Sequence, residues 1–458
     1  MATTEAPSVT ALREVLRLHT VASDDPDRTD PAPFVELHAV LRRHFPRVHE
    51  AGEVVDVPPH GLLIRVPADP GSPTCDADPV VLMAHMDVVP IGDESLWTHP
   101  PLAAEVVDGM IWGRGTLDDK GQLVAVMAAV ESLLAEGLAP ARDVWLSFGS
   151  DEEVMGTCAL AAVELLRERG VRPWFVLDEG GAVASDAFPG VTRSLGVVGV
   201  SEKGVLSLRL TASGRGGHAS RPAKGGTRRP HRRGHHPTGA PPLPRARLPP
   251  RRSRCSGAWC RTCRAHCGRS WLARSAPPSL LARVLVAAGP EAAALARTTV
   301  AVTTLSGSPA INVNPTSVVA GLNLRIAVGE TTAAATERIR RVVGRTIDVE
   351  VAEAHEPSPL SPTDDPAFAL LERTVTTVFP EAVPVPYVMY AATDARHFTT
   401  ICPRVYRFAP FRMSAEQRES IHSYDERLGV QDFLDGVRWY RTLLDGLTHE
   451  SVAAAVAG

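Results

Sequence analysis

Residues 79–90 form a nearly continuous apolar run, PVVLMAHMDVVP. A strand that is apolar at almost every position fits a sheet whose two faces are both covered, and such sheets are mainly parallel. The first 200 residues also alternate strand-like and helix-like segments, with strands expected at 143–150 and 173–181 and helices at 121–137 and 158–170. The sequence therefore predicts an α/β fold with a mostly parallel central sheet and helices on both faces.

The pattern changes after residue 202. Apolar and polar residues alternate in three segments, at 203–214, 297–307 and 316–328, which is typical of strands with one solvated face. A helix and one more strand are expected between these segments and residue 356. We therefore expect a catalytic domain in two parts, 1–202 and 357–458, with an inserted α+β domain at 203–356.

Acidic and imidazole side chains recur where the predicted strands end or tight loops begin. Five of them follow in the order His85, Asp118, Glu153, Asp178 and His422. Three carboxylates and two imidazoles are what two zinc ions need if one carboxylate bridges them and each ion takes one further carboxylate and one histidine. Glu152 directly precedes one of these residues, where a general base for a metal-bound water would be needed.

Each of these motifs also has a purely structural interpretation. His85 and Asp87 lie two apart on a strand and point to the same side, so the pair fits an ordinary hydrogen-bonded histidine as well as a ligand oriented by a carboxylate. The two aspartates at 118–119 could cap a helix. The glutamates at 152–153 could stabilise a first helical turn. The recurrence of suitable residue types at strand ends favours the metal site.

The motifs together resemble one family. MAHMDVVP, IWGRGTLDDKG, SFGSDEEVMG, FVLDEGGAV, GGHASRP, ATDARHF and HSYDERL are similar to segments of the zinc aminopeptidase/carboxypeptidase family that contains carboxypeptidase S, carboxypeptidase G, aminoacylase and succinyl-diaminopimelate desuccinylase. The carboxypeptidase S branch is the most similar. The resemblance implies a zinc-exopeptidase-like catalytic domain and an inserted lid and dimerisation domain. It covers nearly all of the chain except about 225–275.

The resemblance also implies a role for each matched residue near the metal. His85 and Asp178 would hold one Zn²⁺, Glu153 and His422 would hold the other, and Asp118 would bridge the two ions. Asp87 would orient His85, and Glu152 would be the general base. The Asp118–Asp119 peptide bond corresponds to one that is cis in the family.

In the inserted domain, the resemblance implies three residues that act on the substrate. His218 would stabilise the oxyanion of the tetrahedral intermediate, in many members across a homodimer. Asn312 and Arg325 match lid residues that contact substrate, and Arg325 suits a free carboxylate.

Asp394 and Arg396, in the second part of the catalytic domain, match a loop that lines the substrate pocket.

Residues 228–275 differ from the rest of the chain. They hold 13 arginines and no lysine, aspartate or glutamate, whereas the remaining residues carry 35 basic and 52 acidic side chains. Three interpretations are open: a translated frameshift, a polyanion-binding arm, and a metal knuckle built on Cys255, Cys260, Cys263 and Cys267. We favour the frameshift, because the composition is that of GC-rich DNA translated out of frame. We expect no packed structure at 225–275.

The sequence thus predicts a cytoplasmic hydrolase that binds two Zn²⁺ and cleaves an amide bond next to a free carboxylate, as in a dipeptide or an N-acyl amino acid. The N-terminus shows no signal peptide, and no apolar stretch approaches the roughly 18 residues of a membrane helix. We expect no membrane or nucleic-acid partner and a homodimer formed through the lid. The alternative is a catalytically impaired binding protein on the same scaffold, held on polyanions by the arginine-rich insert.

Overall fold

The computed structural model describes residues 6–154, 156–187, 191–220, 293–294, 297–308 and 310–447. The arginine-rich block at 228–275 lies outside these residues, so the frameshift, polyanion and metal-knuckle interpretations all stay predictions. Among the helices of the described ranges, none is both long and apolar enough to cross a membrane.

The largest sheet has ten strands. They are β1 (Glu53–Val57), β2 (Gly61–Val66), β3 (Val80–His85), β6 (Val144–Gly149), β7 (Phe175–Asp178), β8 (Ala182–Ala184), β9 (Leu195–Glu202), β16 (Val383–Met389), β17 (Val405–Arg407) and β18 (Arg412–Met413). Their order is β1-β2-β6-β3-β7-β17-β9-β8-β18, with β16 also paired to β9. The four central strands, β6, β3, β7 and β17, are mutually parallel, and antiparallel pairs lie on either side of them. The predicted α/β class with a mostly parallel central sheet is confirmed.

Strand β3 shows why the apolar run is continuous. All six of its residues are buried. Val80 and Leu82 belong to the hydrophobic core on one face of the sheet, whereas Val81 and Met83 belong to the core on the other face. Both faces of the strand are therefore covered, as the sequence predicts, and only its last residue, His85, is polar.

Ten α-helices lie within the described residues. They are α1 (Pro7–Leu16), α2 (Ala32–His44), α3 (Pro46–Ala51), α4 (Lys120–Ala135), α5 (Cys158–Glu168), α6 (Thr332–Val343), α7 (Pro366–Val378), α8 (Ala395–Phe398), α9 (Ala415–Ser420) and α10 (Val430–Asp445). Helices α1, α2, α4, α7 and α10 contribute to the larger core on one face of the ten-stranded sheet, and α5 and α8 contribute to the smaller core on the other face. Helix α4 packs against both α1 and α10, so its residues are buried almost all round.

A second, four-stranded sheet is antiparallel throughout. It contains β10 (Gly204–Ser213), β12 (Thr299–Ser306), β14 (Ser317–Ile326) and β15 (Asp348–His355), in the order β12-β14-β10-β15. The apolar side chains of β10 and β14 pack with Ala335 and Ile339 of α6. All four strands lie in the predicted 203–356 segment, although the domain boundaries themselves stay a prediction.

Two small sheets complete the part of the chain that the structure describes. One pairs β11 (Gly217–His218) with β13 (Val313–Asn314), and the other contains β4 (Glu105–Val107), β5 (Met110–Trp112) and β19 (Arg427–Gly429). The second of these small sheets joins a segment near residue 110 to one near residue 428. It thereby brings the loops that precede α4 and β19 to the same part of the molecule.

Candidate metal centre

The acidic and imidazole residues gather at the carboxyl ends of the central parallel strands. His85 is the last residue of β3, and Asp178 is the last residue of β7. Glu152 and Glu153 lie in a short 3-10 turn just after β6. Because β3, β6 and β7 are parallel neighbours, their ends meet at one edge of the sheet, where ligands bind in open α/β folds.

Asp118 and His422 reach this edge from loops. Asp118 lies directly before Asp119, the residue that precedes α4, and the Asp118–Asp119 peptide bond is cis. His422 lies between α9 and β19 and has a left-handed backbone conformation, with a φ of 60°. The cis bond that the resemblance implies is therefore present.

The first group of potential ligands contains His85, Asp118 and Glu179. Nε2 of His85 is 2.9 Å from Oδ1 of Asp118 and 3.8 Å from Oε1 of Glu179. These separations are close to the roughly 3.3 Å that tetrahedral zinc would impose between ligands bonded at about 2.0–2.1 Å. The group can therefore hold one metal ion.

The second group contains Asp118, Glu153 and His422. Nε2 of His422 is 2.9 Å from Oδ2 of Asp118 and 3.0 Å from Oε2 of Glu153. One carboxylate oxygen of Asp118 thus faces His85, and the other faces His422. This is the arrangement that a bridging carboxylate requires.

Asp87 contacts one residue of each group and is fully buried. Its carboxylate accepts hydrogen bonds from the backbone N–H groups of Glu152 and Glu153, at 3.2 and 3.1 Å. Nδ1 of His85 is 3.0 Å from the backbone oxygen of Asp87 and 3.4 Å from its carboxylate. A hydrogen bond at Nδ1 leaves Nε2 available for a metal, so Asp87 can both orient His85 and hold the glutamate turn.

The structure does not bring Asp178 into either group, although the resemblance implies it as a ligand. Oδ2 of Asp178 accepts a hydrogen bond from the backbone N–H of Ala395, at 2.9 Å. Glu179, the next residue, occupies the expected position beside His85. Glycines with φ values of 86° and 81° follow at 180 and 181, so the backbone leaves the strand here and the carboxylate of Glu179 can turn towards His85.

Ion pairing decides the charges of the central residues. Burial opposes ionisation of Asp118, but hydrogen bonds with His422 and His85 keep the pKa of this carboxyl well below its usual range. Hydrogen bonds with Asp118 and Glu153 raise the pKa of His422 to about 10. Burial lowers the pKa of His85, yet its bonds with Asp118 and Asp87 outweigh that effect and raise it.

The carboxyl groups of Glu152, Glu153 and Glu179 have too few cations and hydrogen-bond donors beside them to stabilise a negative charge. Burial, followed by the neighbouring carboxylates, raises the pKa values of Glu152 and Glu179 well above the usual range. Oε1 of Glu153 is buried and has no hydrogen-bond partner among the described residues. Buried carboxylates with excess negative charge are stabilised by a cation, and carboxylate with imidazole is a ligand set that suits zinc. The residues present therefore fit a pair of divalent metal ions.

The predicted substrate residues lie outside these two groups. His218 and Asn312 are exposed and close to each other, because Ala219 donates a backbone hydrogen bond to the carbonyl of Asn312, at 2.9 Å. Arg325 lies on β14, in the four-stranded sheet. Asp394 is buried and precedes α8, and Arg396 lies in α8.

Sequence reasoning names Asp178 and not Glu179, which the structure brings into the first group; the choice of metal ligand between these two residues stays a prediction. The only signal is that it adjoins Asp178 in the segment FVLDEGG, so either acid could have been chosen.

The candidate site thus combines the carboxyl edge of a parallel-centred α/β sheet with two groups of potential metal ligands. The model of peptidase family M20/M25/M40 matches residues 81–446, and the chain belongs to this family. The predicted family is confirmed.

Named relatives agree with this assignment. The chain is 32% identical to the N-fatty-acyl-amino acid synthase/hydrolase PM20D1.1 of Danio rerio, over 94% of this chain and 83% of that protein. It is 31% identical to the probable carboxypeptidase S-like 2 of Dictyostelium discoideum, over 92% of this chain and 81% of that protein. The M20 family metallo-carboxypeptidase Sso-CP2 of Sulfolobus solfataricus has the same fold, with a TM-score of 0.63, 14% identity, and 95% and 98% of the two chains covered. The chain is thus a hydrolase of the M20 type.

Proposed function

We propose that this chain is a di-zinc hydrolase that cleaves an amide bond next to a free carboxylate. The observation that carries the proposal is the position of Asp118, whose two oxygens each lie 2.9 Å from the Nε2 atom of a different histidine. A single carboxylate shared in this way couples two metal positions. In this proposal His85 and Glu179 complete one site, and Glu153 and His422 complete the other.

Zinc ions bound there would supply Lewis-acid polarisation of the scissile carbonyl and would lower the pKa of the attacking water. Glu152 would accept the proton of that water, and Asp87 holds its backbone next to Glu153. Its carboxyl group lies among the groups that bind metal, with His85, Asp394 and Glu153 as its main charged neighbours. The same group would then deliver the proton to the leaving amine nitrogen.

The substrate would be a dipeptide or an N-acyl amino acid. The names of two relatives, an N-fatty-acyl-amino acid synthase/hydrolase and a carboxypeptidase S-like protein, both fit an amide bond beside an amino acid carboxylate. Arg325 would pair with that carboxylate, and Asp394 and Arg396 would line the pocket. His218 and Asn312 would approach the substrate from the lid, with His218 stabilising the oxyanion across a homodimer.

The direct test combines metal content with turnover. The full chain should contain two zinc ions by elemental analysis and should hydrolyse an N-acyl amino acid much faster than the same compound with its carboxylate converted to an amide. A folded protein that binds no zinc and turns over neither compound would support the alternative, an impaired binding protein. Equal rates on the two compounds would contradict the proposed carboxylate recognition.

A further inference from the structure

Glu426 is a buried carboxylate that contacts the loop carrying Asp118. It is completely buried, and it accepts hydrogen bonds along the whole of this loop. Its Oε1 atom accepts from the backbone N–H groups of Leu117 and Asp118, at 2.8 and 3.3 Å. Its Oε2 atom accepts from the backbone N–H of Gly115, at 3.1 Å. One side chain therefore fixes the backbone up to and including the shared carboxylate residue.

Arg114 completes this connection. Its Nη1 atom donates to Oε2 of Glu426, at 2.7 Å, and its Nη2 atom donates to the backbone oxygen of Ser423, at 2.6 Å. The backbone oxygen of Glu426 also accepts from the backbone N–H of Gly113, at 3.0 Å. Ser423 directly follows His422. The loop of Asp118, from Gly113 to Asp118, is therefore joined to the loop of His422 through both Ser423 and Glu426.

The hydrogen bonds of Glu426 are stronger than bonds between neutral groups. Hydrogen bonds to a charged group are shorter and stronger than neutral ones, and a buried pair loses little to solvent. Removal of the carboxylate would leave the Arg114 guanidinium and several backbone N–H groups buried without their acceptor. The loop of Asp118 would then rearrange, and its carboxylate would lose its alignment with His85 and His422.

We propose that Glu426, together with Arg114, is a positioning residue that aligns the two histidine–carboxylate groups through Asp118. The proposal rests on the proposed function, since it takes Asp118 as the shared metal ligand. Glu426 belongs to neither ligand group and acts only through the backbone that it holds. Residues that orient metal ligands in this way are typically worth 10- to 100-fold in metal affinity.

The test measures Zn²⁺ affinity by chelator competition on the folded full chain, at a temperature well below unfolding. Glu426→Gln keeps the shape but replaces one acceptor oxygen with an amide NH2 group, which is a donor, and it should weaken binding at both sites by about 10- to 100-fold. Arg114→Lys keeps the charge but lacks the planar fork of donors with which Arg114 bonds its two partners, and it should weaken binding by about tenfold. The visible spectrum of the Co²⁺-substituted protein should also change, because it reports ligand geometry.

The matched control is Asp365→Asn. Asp365 accepts from Arg404, at 2.6 Å, and from the backbone N–H of Ala367, at 2.9 Å. It is therefore also a carboxylate that joins an arginine to backbone, but it belongs to neither ligand group. This variant should lose thermal stability and keep wild-type Zn²⁺ affinity and an unchanged Co²⁺ spectrum.

Two outcomes would overturn the proposal. One is wild-type Zn²⁺ affinity in both Glu426→Gln and Arg114→Lys, and the other is an equal loss of affinity in Asp365→Asn. If Glu426→Gln does not fold, Arg114→Lys alone decides. Failure of the proposed function would look different, because the wild-type chain itself would then bind no zinc.

Discussion

The sharpest prediction separates Glu152 from its neighbour Glu153. Glu152→Gln preserves the shape of the side chain and removes its ability to accept a proton. General-base catalysis is typically worth 10²- to 10⁴-fold, and each factor of ten corresponds to about 1.36 kcal/mol of barrier. The variant should therefore lose about 2.7–5.4 kcal/mol of transition-state stabilisation, observed as a fall in kcat with little change in KM.

The structure also fixes what should not change. The carboxyl group of Glu152 belongs to neither ligand group, and its backbone N–H bond to Asp87 does not depend on its side chain. Two zinc ions should therefore stay bound. Glu153→Gln is the matched control, because it removes one carboxylate from the His422 group and should lose metal.

The assay is steady-state hydrolysis of an N-acyl amino acid, with zinc measured on the same samples. Near wild-type kcat in Glu152→Gln would refute its role as the base. Loss of metal in Glu152→Gln, or full metal in Glu153→Gln, would show that the two glutamates have the opposite roles.

Three further predictions concern the ligands and the substrate. Asp118→Ala should remove both metals, because its oxygens face both histidines; one zinc still bound at full occupancy by elemental analysis would exclude the bridging role. Glu179→Ala should lose one metal whereas Asp178→Ala should keep two, and the reverse result would restore Asp178 as the ligand. Arg325→Ala should raise KM on the order of tenfold for substrates with a free carboxylate, through loss of a charged hydrogen bond, and should hardly affect their amides; equal losses on both would contradict this role.

The sequence predicts the central sheet well, because a strand that is buried on both faces must be apolar at nearly every position. Strand β3 is apolar throughout until His85, and the structure buries every residue of it. The same reasoning places His85 and the glutamates after β6 at one edge, since parallel strands bring their carboxyl ends together. Four of the five predicted ligands meet there: His85, Asp118, Glu153 and His422.

The choice between Asp178 and Glu179 could not be made in this way. Two adjacent acids of similar chemistry differ only in the direction of their side chains. That direction depends on where β7 stops and on the left-handed conformations at 180–181. Neither the apolar pattern nor the residue types contain this information.

Glu426 shows a different limit of sequence reasoning. Its role depends on contacts with Gly115, Leu117 and Asp118, which lie more than 300 positions earlier in the chain. Nothing in the local pattern around residue 426 indicates burial of a glutamate. Only the folded arrangement, in which β19 pairs with β5, reveals the partner loop.

The sharing of Asp118 has a consequence for synthesis of the chain on the ribosome. The His85, Asp118 and Glu179 group is complete once the first 179 residues are made, whereas the second group must wait for His422. In the proposed assignment, a nascent or truncated chain that ends before residue 422 would have every ligand of the first group and would lack one of the second. It also lacks the carboxylate of Glu426 that holds the Asp118 loop. Stoichiometric uptake of a second zinc ion would therefore report that the final segment has docked, and metal content would distinguish complete molecules from unfinished ones.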